Sequence, residues 1–452
     1  MKDLTTGSEG KVILQFAIPM VFGNMFQQLY NVVDSIIIGN YLGNEALAAV
    51  GAAFPIIFLL ISLIIGLGSG ITIIVSQYFG AKKMDEVKKT IDTAYIILMV
   101  ASIIVTIAGI AFSEPIFRLT GLPEEVLPDA TTYINVYFTG MVFFFGFNGT
   151  SAILRGMGDS KTPLYFLVIA TITNIFLDLL FIVGFGWGIE GAALATVISQ
   201  AGAFITAILY LNKRHEIVNV SFRKYLFDYG IFKDSLRIGL PSGLQQTFVA
   251  AGLIALYGIV NKFGTETIAA YSVATRIDSF ASLLAMNFAA ALAAFVGQNI
   301  GAQKTERVKA GLRSTWIFTS IISLTISGLV IIFGKPLMAV FTPDAEVIRL
   351  GYEYLIIVSS FYIVFSTLFV ISAVMRGAGD TLIPMFITLF ALWIVRIPAS
   401  YYLAGKIGVT GIWWAVPLGW SVGMILGYLY YLTGRWKTKS VVRPSKTVSV
   451  KS

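Results

Sequence analysis

Two carboxylates stand where charge is costly. Asp34 lies in Asn31-Val-Val-Asp34-Ser-Ile-Ile-Ile-Gly39, and Asp178 in Thr171-Ile-Thr-Asn174-Ile-Phe-Leu-Asp178, both inside long apolar runs. On a helical wheel, Asn24, Gln27, Gln28, Asn31, Asp34 and Ser35 share an arc of about 120°. Asn174 and Asp178, four residues apart, stack on one helix face with Thr171 nearby. Thr196, Ser199 and Gln200 share a face of a third run. Two carboxylates, an amide and a hydroxyl make an oxygen-rich set suited to a hard cation such as Na⁺, with Asp34 and Asp178 as its charged ligands. Two like charges brought close also favour uptake of a proton, so the same set serves Na⁺ or H⁺. The polar stripe Asn24, Gln27, Gln28 and Asn31, together with Gln200, is the candidate lining of a substrate cavity.

These residues need elements that hold them at membrane depth. The chain has 452 residues, 57% hydrophobic and only 12% charged, with mean hydropathy +0.82. Its recurring apolar runs of about 18–25 residues each suffice to cross a bilayer as a helix. They are too long and too uniformly apolar for barrel strands. The expectation is an all-α polytopic membrane protein. There is no cysteine, so thiolate metal sites and cysteine nucleophiles are excluded. The one histidine, His215, sits in the basic stretch Asn212-Lys-Arg-His-Glu216 and reads as a solvated loop residue. The first apolar run lacks the pattern of a cleaved signal and reads as a retained helix.

Twelve spans are expected near 13–38, 46–74, 91–113, 131–154, 164–184, 190–211, 236–261, 268–296, 311–334, 350–374, 383–404 and 410–433. Pro19 is placed to kink the first, and Gly39 and Gly43 to close it. Basic residues gather in alternate connections: Lys82, Lys83, Lys88 and Lys89; Lys213, Arg214, Arg223, Lys224 and Lys233; Lys304, Arg307, Lys309 and Arg313; and the tail residues Arg435, Lys437 and Lys439. The positive-inside rule then puts both termini in the cytoplasm of a multi-pass plasma-membrane protein. The net charge of +8 reflects that orientation. No basic soluble surface suggests nucleic acid as a partner.

The chain repeats itself at about 221 residues. "VSQYFGAKKMDEVKK" from Val75 returns as "VGQNIGAQKTERVKA" from Val296, and "RGMGDSKTP" from Arg155 as "RGAGDTLIP" from Arg376. Six spans separate equivalent points, so the halves are parallel repeats, the build of a carrier with its path between two lobes. The domains expected are an amino-terminal lobe at 1–211, a linker at 212–235, a carboxyl-terminal lobe at 236–434 and a basic tail at 435–452. The glycines of R-G-x-G-D-[ST] suit helix C-caps, and the residues after them suit the N-cap of the next helix.

The second half has lost the acids. The position repeating Asp34 is near Leu256, and that repeating Asp178 falls around Pro398. Gln245 and Gln246, Arg276 and Asp278, and Arg396 stand in its spans instead. Arg276 and Asp278, two apart, point to different sides of a helix. The coupling site therefore belongs to the first half, with Asp278, Arg276, Gln245 and Gln246 as secondary candidates.

From roughly residue 10 to 435, this pattern resembles the multidrug and toxic compound extrusion (MATE) transporters. The twelve spans in two repeats carry it, with the segment from Pro19 to Leu29-Tyr-Asn-Val-Val-Asp34, "VSQYFGA" and "RGMGDSKTP". The resemblance implies two six-helix pseudo-symmetric lobes in a V-shaped arrangement. It implies a cation-coupled antiporter, with Na⁺ or H⁺ and no further cofactor, exporting amphipathic and often cationic organic compounds. Asp34 matches the family's span-1 acid, Asn174 and Asp178 its span-5 amide and acid, and Thr196 its span-6 hydroxyl. The glutamines of span 7, and a span 10 without a central acid, depart from the branch with a carboxyl-lobe site.

Alternating access by rocking of the lobes, in a protein working as a monomer, is the expected mechanism. A lipid-linked oligosaccharide flippase shares the general build but calls for a basic central cavity, whereas the amino half is acidic. A channel is the reading from another class; saturable exchange separates the two. An enzyme would need a nucleophile–base set or metal cluster at membrane depth, and the sequence offers none.

Overall fold

The computed structural model describes residues 2–214 and 226–442, so His215, Arg223 and Lys224 lie outside the described residues. Every regular element among those described is helical. The first half runs through α1 (Glu9–Tyr41), α2 (Gly43–Gly80), α3 (Met84–Leu119), α4 (Leu127–Thr139), α5 (Met141–Gly156), α6 (Lys161–Asp178) and α7 (Gly188–Arg214). The second runs through α8 (Tyr229–Val260), α9 (Thr265–Gly301), α10 (Thr305–Ala339), α11 (Ala345–Ser359), α12 (Tyr362–Gly377), α13 (Leu382–Leu389), α14 (Ile397–Ile407) and α15 (Val409–Leu432). A π-helical turn, Leu179–Gly184, extends α6, and another, Phe390–Arg396, joins α13 to α14.

Among the described residues, ten runs are long and apolar enough to cross a membrane. The pairs α4–α5 and α11–α12, bent by 53° and 49°, bring the count to twelve if each is one span. The bends have local causes. At Gly140 a Cβ would meet Val197 of α7 at 2.6 Å, so the backbone turns where it presses on its neighbour. At the other break the Ser360 hydroxyl donates to the Ile356 carbonyl at 2.7 Å, a back-bond that bends helices.

Glycine sets the closest helix crossings. Gly66 and Gly70 of α2 press on Gly239 and Gly243 of α8, where a Cβ at Gly66 would lie 2.6 Å from the Gly243 backbone. The small-x-x-x-small spacing on both helices permits that approach. Farther along α2, a Cβ at Gly80 would collide with the Gln298 carbonyl of α9, and one at Gly301 with the Gln77 carbonyl. Gly80 and Gly301 are equivalent in the repeat, so this crossing is what "VSQYFGA" and "VGQNIGA" encode. The helices end alike, with Lys82 at φ +57° and Gln303 at φ +60°.

The R-G-x-G-D stretches are helix stops. Gly158 and Gly379 take φ +81° and +95°. Asp159 N–H reaches back to the Leu154 carbonyl and Asp380 N–H to the Met375 carbonyl, the bonds of a Schellman cap. Asp159 then caps α6 by accepting from the amides of Lys161 and Thr162. The start of the chain departs from expectation at one glycine. α1 continues through Pro19 and Gly39 to Tyr41, and Gly43 alone, at φ +87°, makes the break.

Two compact units emerge. One comprises chiefly Leu14–Thr72 and Val87–Ala251; the other comprises Asp3–Ile13, Ile73–Glu86 and Gly252–Ser452. The divisions fall inside α1, α2, α3 and α8.

Candidate functional site

The first unit gathers its polar groups between α1, α4, the sixth helix and α7. Asp34 is 7% exposed, Asn174 1%, Asp178 0% and Thr196 3%, all in helices otherwise built of apolar residues. Asp34 and Asp178 face each other within side-chain hydrogen-bonding reach. Asn174 Nδ2 donates to Thr196 Oγ1 at 3.5 Å, and the Tyr30 hydroxyl lies 3.2 Å from that same oxygen. Thr196 is held in turn by the Ala192 carbonyl at 3.2 Å.

What this arrangement lacks decides its chemistry. Asp34 Oδ1, both oxygens of Asp178 and Asn174 Oδ1 are buried and meet no hydrogen-bond donor among the described residues. Buried acceptors left unsatisfied are costly, and paired like charges more so. Four such oxygens in one cluster form an acceptor-rich set of the kind that suits a cation or a shared proton. That the π turn begins directly after Asp178 fits the tendency of such turns to occur at functional positions.

The remaining candidates scatter. Asn24, Gln27, Gln28 and Asn31 are exposed along α1, and Asn31 Nδ2 donates to Gln28 Oε1 at 3.5 Å. Gln200 is half-buried on α7, its Oε1 buried without a donor. Gln245 and Gln246 are half-buried on α8, in the stretch that belongs to the first unit. Asp278 and Arg276 belong to the second unit. Arg276 is exposed and forms no ion pair with Asp278.

Three site residues escaped sequence reasoning. Tyr30 bonds to Thr196, while Tyr133 and Tyr137 of α4 are buried within electrostatic reach of Asp34. Their rings lie 6.4 Å apart and stacked. The i, i+4 spacing of the two tyrosines was the available signal. Aromatic residues are so frequent in this chain that the pair did not stand out.

The comparisons with known proteins cover the same ground. A family model described as MatE matches residues 19–180 and 241–402. The chain is 33% identical to the probable multidrug resistance protein YoeA of Bacillus subtilis, covering 95% of this chain and 94% of that one. It is also 33% identical to the probable multidrug resistance protein YpnP of the same organism, over 96% of this chain and 97% of the relative. A solved structure described as the outward-facing conformation of a multidrug resistance MATE family transporter superposes with a TM-score of 0.89 at 26% identity. It covers 96% of this chain and 98% of that one.

Proposed function

The chain belongs to the MATE family of membrane transporters, and from that premise we propose that it is a cation-coupled antiporter exporting amphipathic, often cationic organic compounds. Multidrug efflux is the work named for its relatives, with small organic molecules as substrates and the bilayer as setting. The coupling is the added step, and one observation carries it. Asp34 and Asp178 face each other among buried oxygen acceptors, with no donor to satisfy three of their four carboxylate oxygens.

In this reading Na⁺ or H⁺ enters between Asp34 and Asp178, with Asn174 Oδ1 and the Thr196 hydroxyl as neutral ligands. The exposed stripe Asn24, Gln27, Gln28 and Asn31, with Gln200, lines the path of the substrate. Cation and substrate favour different conformations, because only differential affinity shifts an equilibrium. Inward cation flow then drives substrate outward as the lobes 1–211 and 236–434 rock about the 212–235 linker. The distribution of basic residues supports cytoplasmic termini in a plasma membrane, and in this reading the protein works as a monomer.

The test is efflux from reconstituted vesicles under separately imposed Na⁺ and pH gradients, with wild type beside Asp34→Asn. Gradient-driven efflux in the wild type alone supports the reading. Equal efflux by both proteins removes Asp34 from coupling, and non-saturating flux without exchange turns the reading to a channel.

A further inference from the structure

The last membrane-crossing helix does not release the chain at its end. α15 stops at Leu432, and Gly434 at φ +68° turns the backbone into the 3₁₀ turn Arg435–Thr438. From there the segment is held as a strap. Trp436 is 1% exposed and stacked on Tyr431 with ring centres 5.5 Å apart, and its Nε1 donates to the Tyr431 carbonyl at 3.0 Å. The Lys439 carbonyl lies against Gly379, where a Cβ would meet it at 2.8 Å. Gln77 Oε1 accepts from the Ser440 hydroxyl and from the Val441 amide. All of these residues belong to the second unit.

The cations of the strap are left outside that packing. Arg435, Lys437 and Lys439 are exposed, while Trp436 between them is buried. None of the three forms an ion pair among the described residues. Lys437 Nζ sits 5.7 Å from the centre of the Trp436 ring. The cations that open α10 differ, since Arg307 pairs with Glu9 at 2.8 Å and Lys309 with Glu306 at 2.9 Å. From Gly434 to Ser452 the sequence has six basic residues and no acidic one, so the strap has no acid of its own to pair with.

Place and charge together select the partner. Arg435 comes three residues after the end of α15, which sets it at the level of the lipid headgroups. A leaflet of anionic phospholipid attracts juxtamembrane Lys and Arg, each worth about fivefold in affinity, and the attraction fades within a Debye length. Orientation by the positive-inside rule needs these charges only in the sequence. Holding them in place is what the geometry adds. A strap already ordered by Trp436 and Gln77 meets the surface without the ordering cost that a free tail would bear.

We propose that Arg435–Val442 is a docked strap that binds the headgroups of anionic phospholipids in the adjoining leaflet through Arg435, Lys437 and Lys439. The inference goes beyond the transport reading and uses no part of it, so either can fail alone.

The chain has no cysteine, so Thr438→Cys gives a single attachment point for a fluorophore on the full-length protein. Thr438 is exposed, and its hydroxyl donates only to the Arg435 carbonyl of its own turn. The labelled protein is placed in nanodiscs of phosphatidylcholine alone or mixed with phosphatidylglycerol, and quenching by aqueous acrylamide is measured. Quenching should be about twofold or more weaker with phosphatidylglycerol, and the difference should vanish at 1 M salt, where the Debye length is about 3 Å. Replacing Arg435, Lys437 and Lys439 together by Gln should also abolish it, whereas the charge-keeping set Arg435→Lys, Lys437→Arg and Lys439→Arg should retain it. Equal quenching in the two bilayers overturns the proposal, as does protection that survives the Gln set. Protection in phosphatidylcholine discs on adding inorganic phosphate alone overturns it too, because the strap would then take free anions and not a lipid surface.

Discussion

Gln298 and Gln77 occupy equivalent positions of the repeat, and each clasps one end of the chain. Gln298 Oε1 accepts from the Leu4 amide at 2.9 Å, and Gln77 Oε1 accepts from the Val441 amide at 2.8 Å. Gln77 accepts also from the Ser440 hydroxyl and donates to the Gly377 carbonyl, both at 2.9 Å. Around Leu4, Asn299 donates to its carbonyl, Lys304 to the Thr5 carbonyl, and Arg307 pairs with Glu9 at 2.8 Å. Within the second unit, one repeated glutamine thus holds the segments around Leu4 and Val441.

Removing either glutamine leaves a backbone amide without its acceptor. Such a loss costs about 1–3 kcal/mol at a buried position. Gln298→Ala and Gln77→Ala should each melt several degrees below wild type in detergent. An unchanged melting curve for both would show that the clasps add nothing to stability.

The amino-terminal segment also carries a pH response. Partial burial works against the charge on Asp3. Hydrogen bonds from the Thr5 hydroxyl and amide, the latter at 2.8 Å, outweigh it together with Lys304 and Lys82, holding the carboxyl below its ordinary 3.8. A lowered carboxyl stabilises fully above its unfolded value and ceases to as pH falls through the folded one. Protection of the Leu4 amide from hydrogen exchange should therefore decline on acidification below pH 3.8, and Asp3→Asn should abolish that decline.

Close approach at the α2–α9 crossing leaves no space for a side chain. Gly80→Leu and Gly301→Leu drive carbon into the carbonyls of Gln298 and Gln77. Both variants should lose the monodisperse peak in size-exclusion chromatography. Gly202→Ala, where a Cβ meets nothing within 4 Å, is the matched control and should elute as wild type.

If Asp34, Asn174, Asp178 and Thr196 hold the coupling cation as proposed, charged and neutral groups should separate by magnitude. Asp34→Asn and Asp178→Asn each remove a charge and should cut gradient-driven efflux by about tenfold or more, with normal membrane expression. Thr196→Val and Asn174→Leu remove only neutral oxygens. They should raise the cation concentration for half-maximal efflux about fivefold to tenfold, near 1 kcal/mol. Equal effects for all four would argue for a structural network instead.

Much of this was legible because lipid makes polarity informative. Asp34, Asn174, Asp178 and Thr196 stand out in apolar helices, and the structure brings them together. The span count follows from uninterrupted hydropathy, and that same uniformity hid the breaks at Gly140 and Ser360. Pattern shows how apolar a run is, while bends come from a neighbour's side chain or a serine back-bond. Tyr30, Tyr133 and Tyr137 were hidden by the abundance of aromatics. The clasps at Leu4 and Val441 lie in segments without periodicity, where only three-dimensional pairing gives a glutamine its role.

The break in the fourth span offers a last test, because it touches the site through packing alone. Gly140 abuts Val197, and Val197 is the neighbour of Thr196 on α7. Val197 has a stiff, β-branched side chain, so a larger residue at 140 moves the helix more readily than it moves that side chain. Gly140→Val should displace Thr196 from Asn174 and Tyr30, weakening the dependence of efflux on the cation while both acids remain. Ser360→Ala alters the break in the second unit and should leave that dependence unchanged. If the two variants behave alike in cation-dependent efflux, the geometry around Thr196 has no part in coupling.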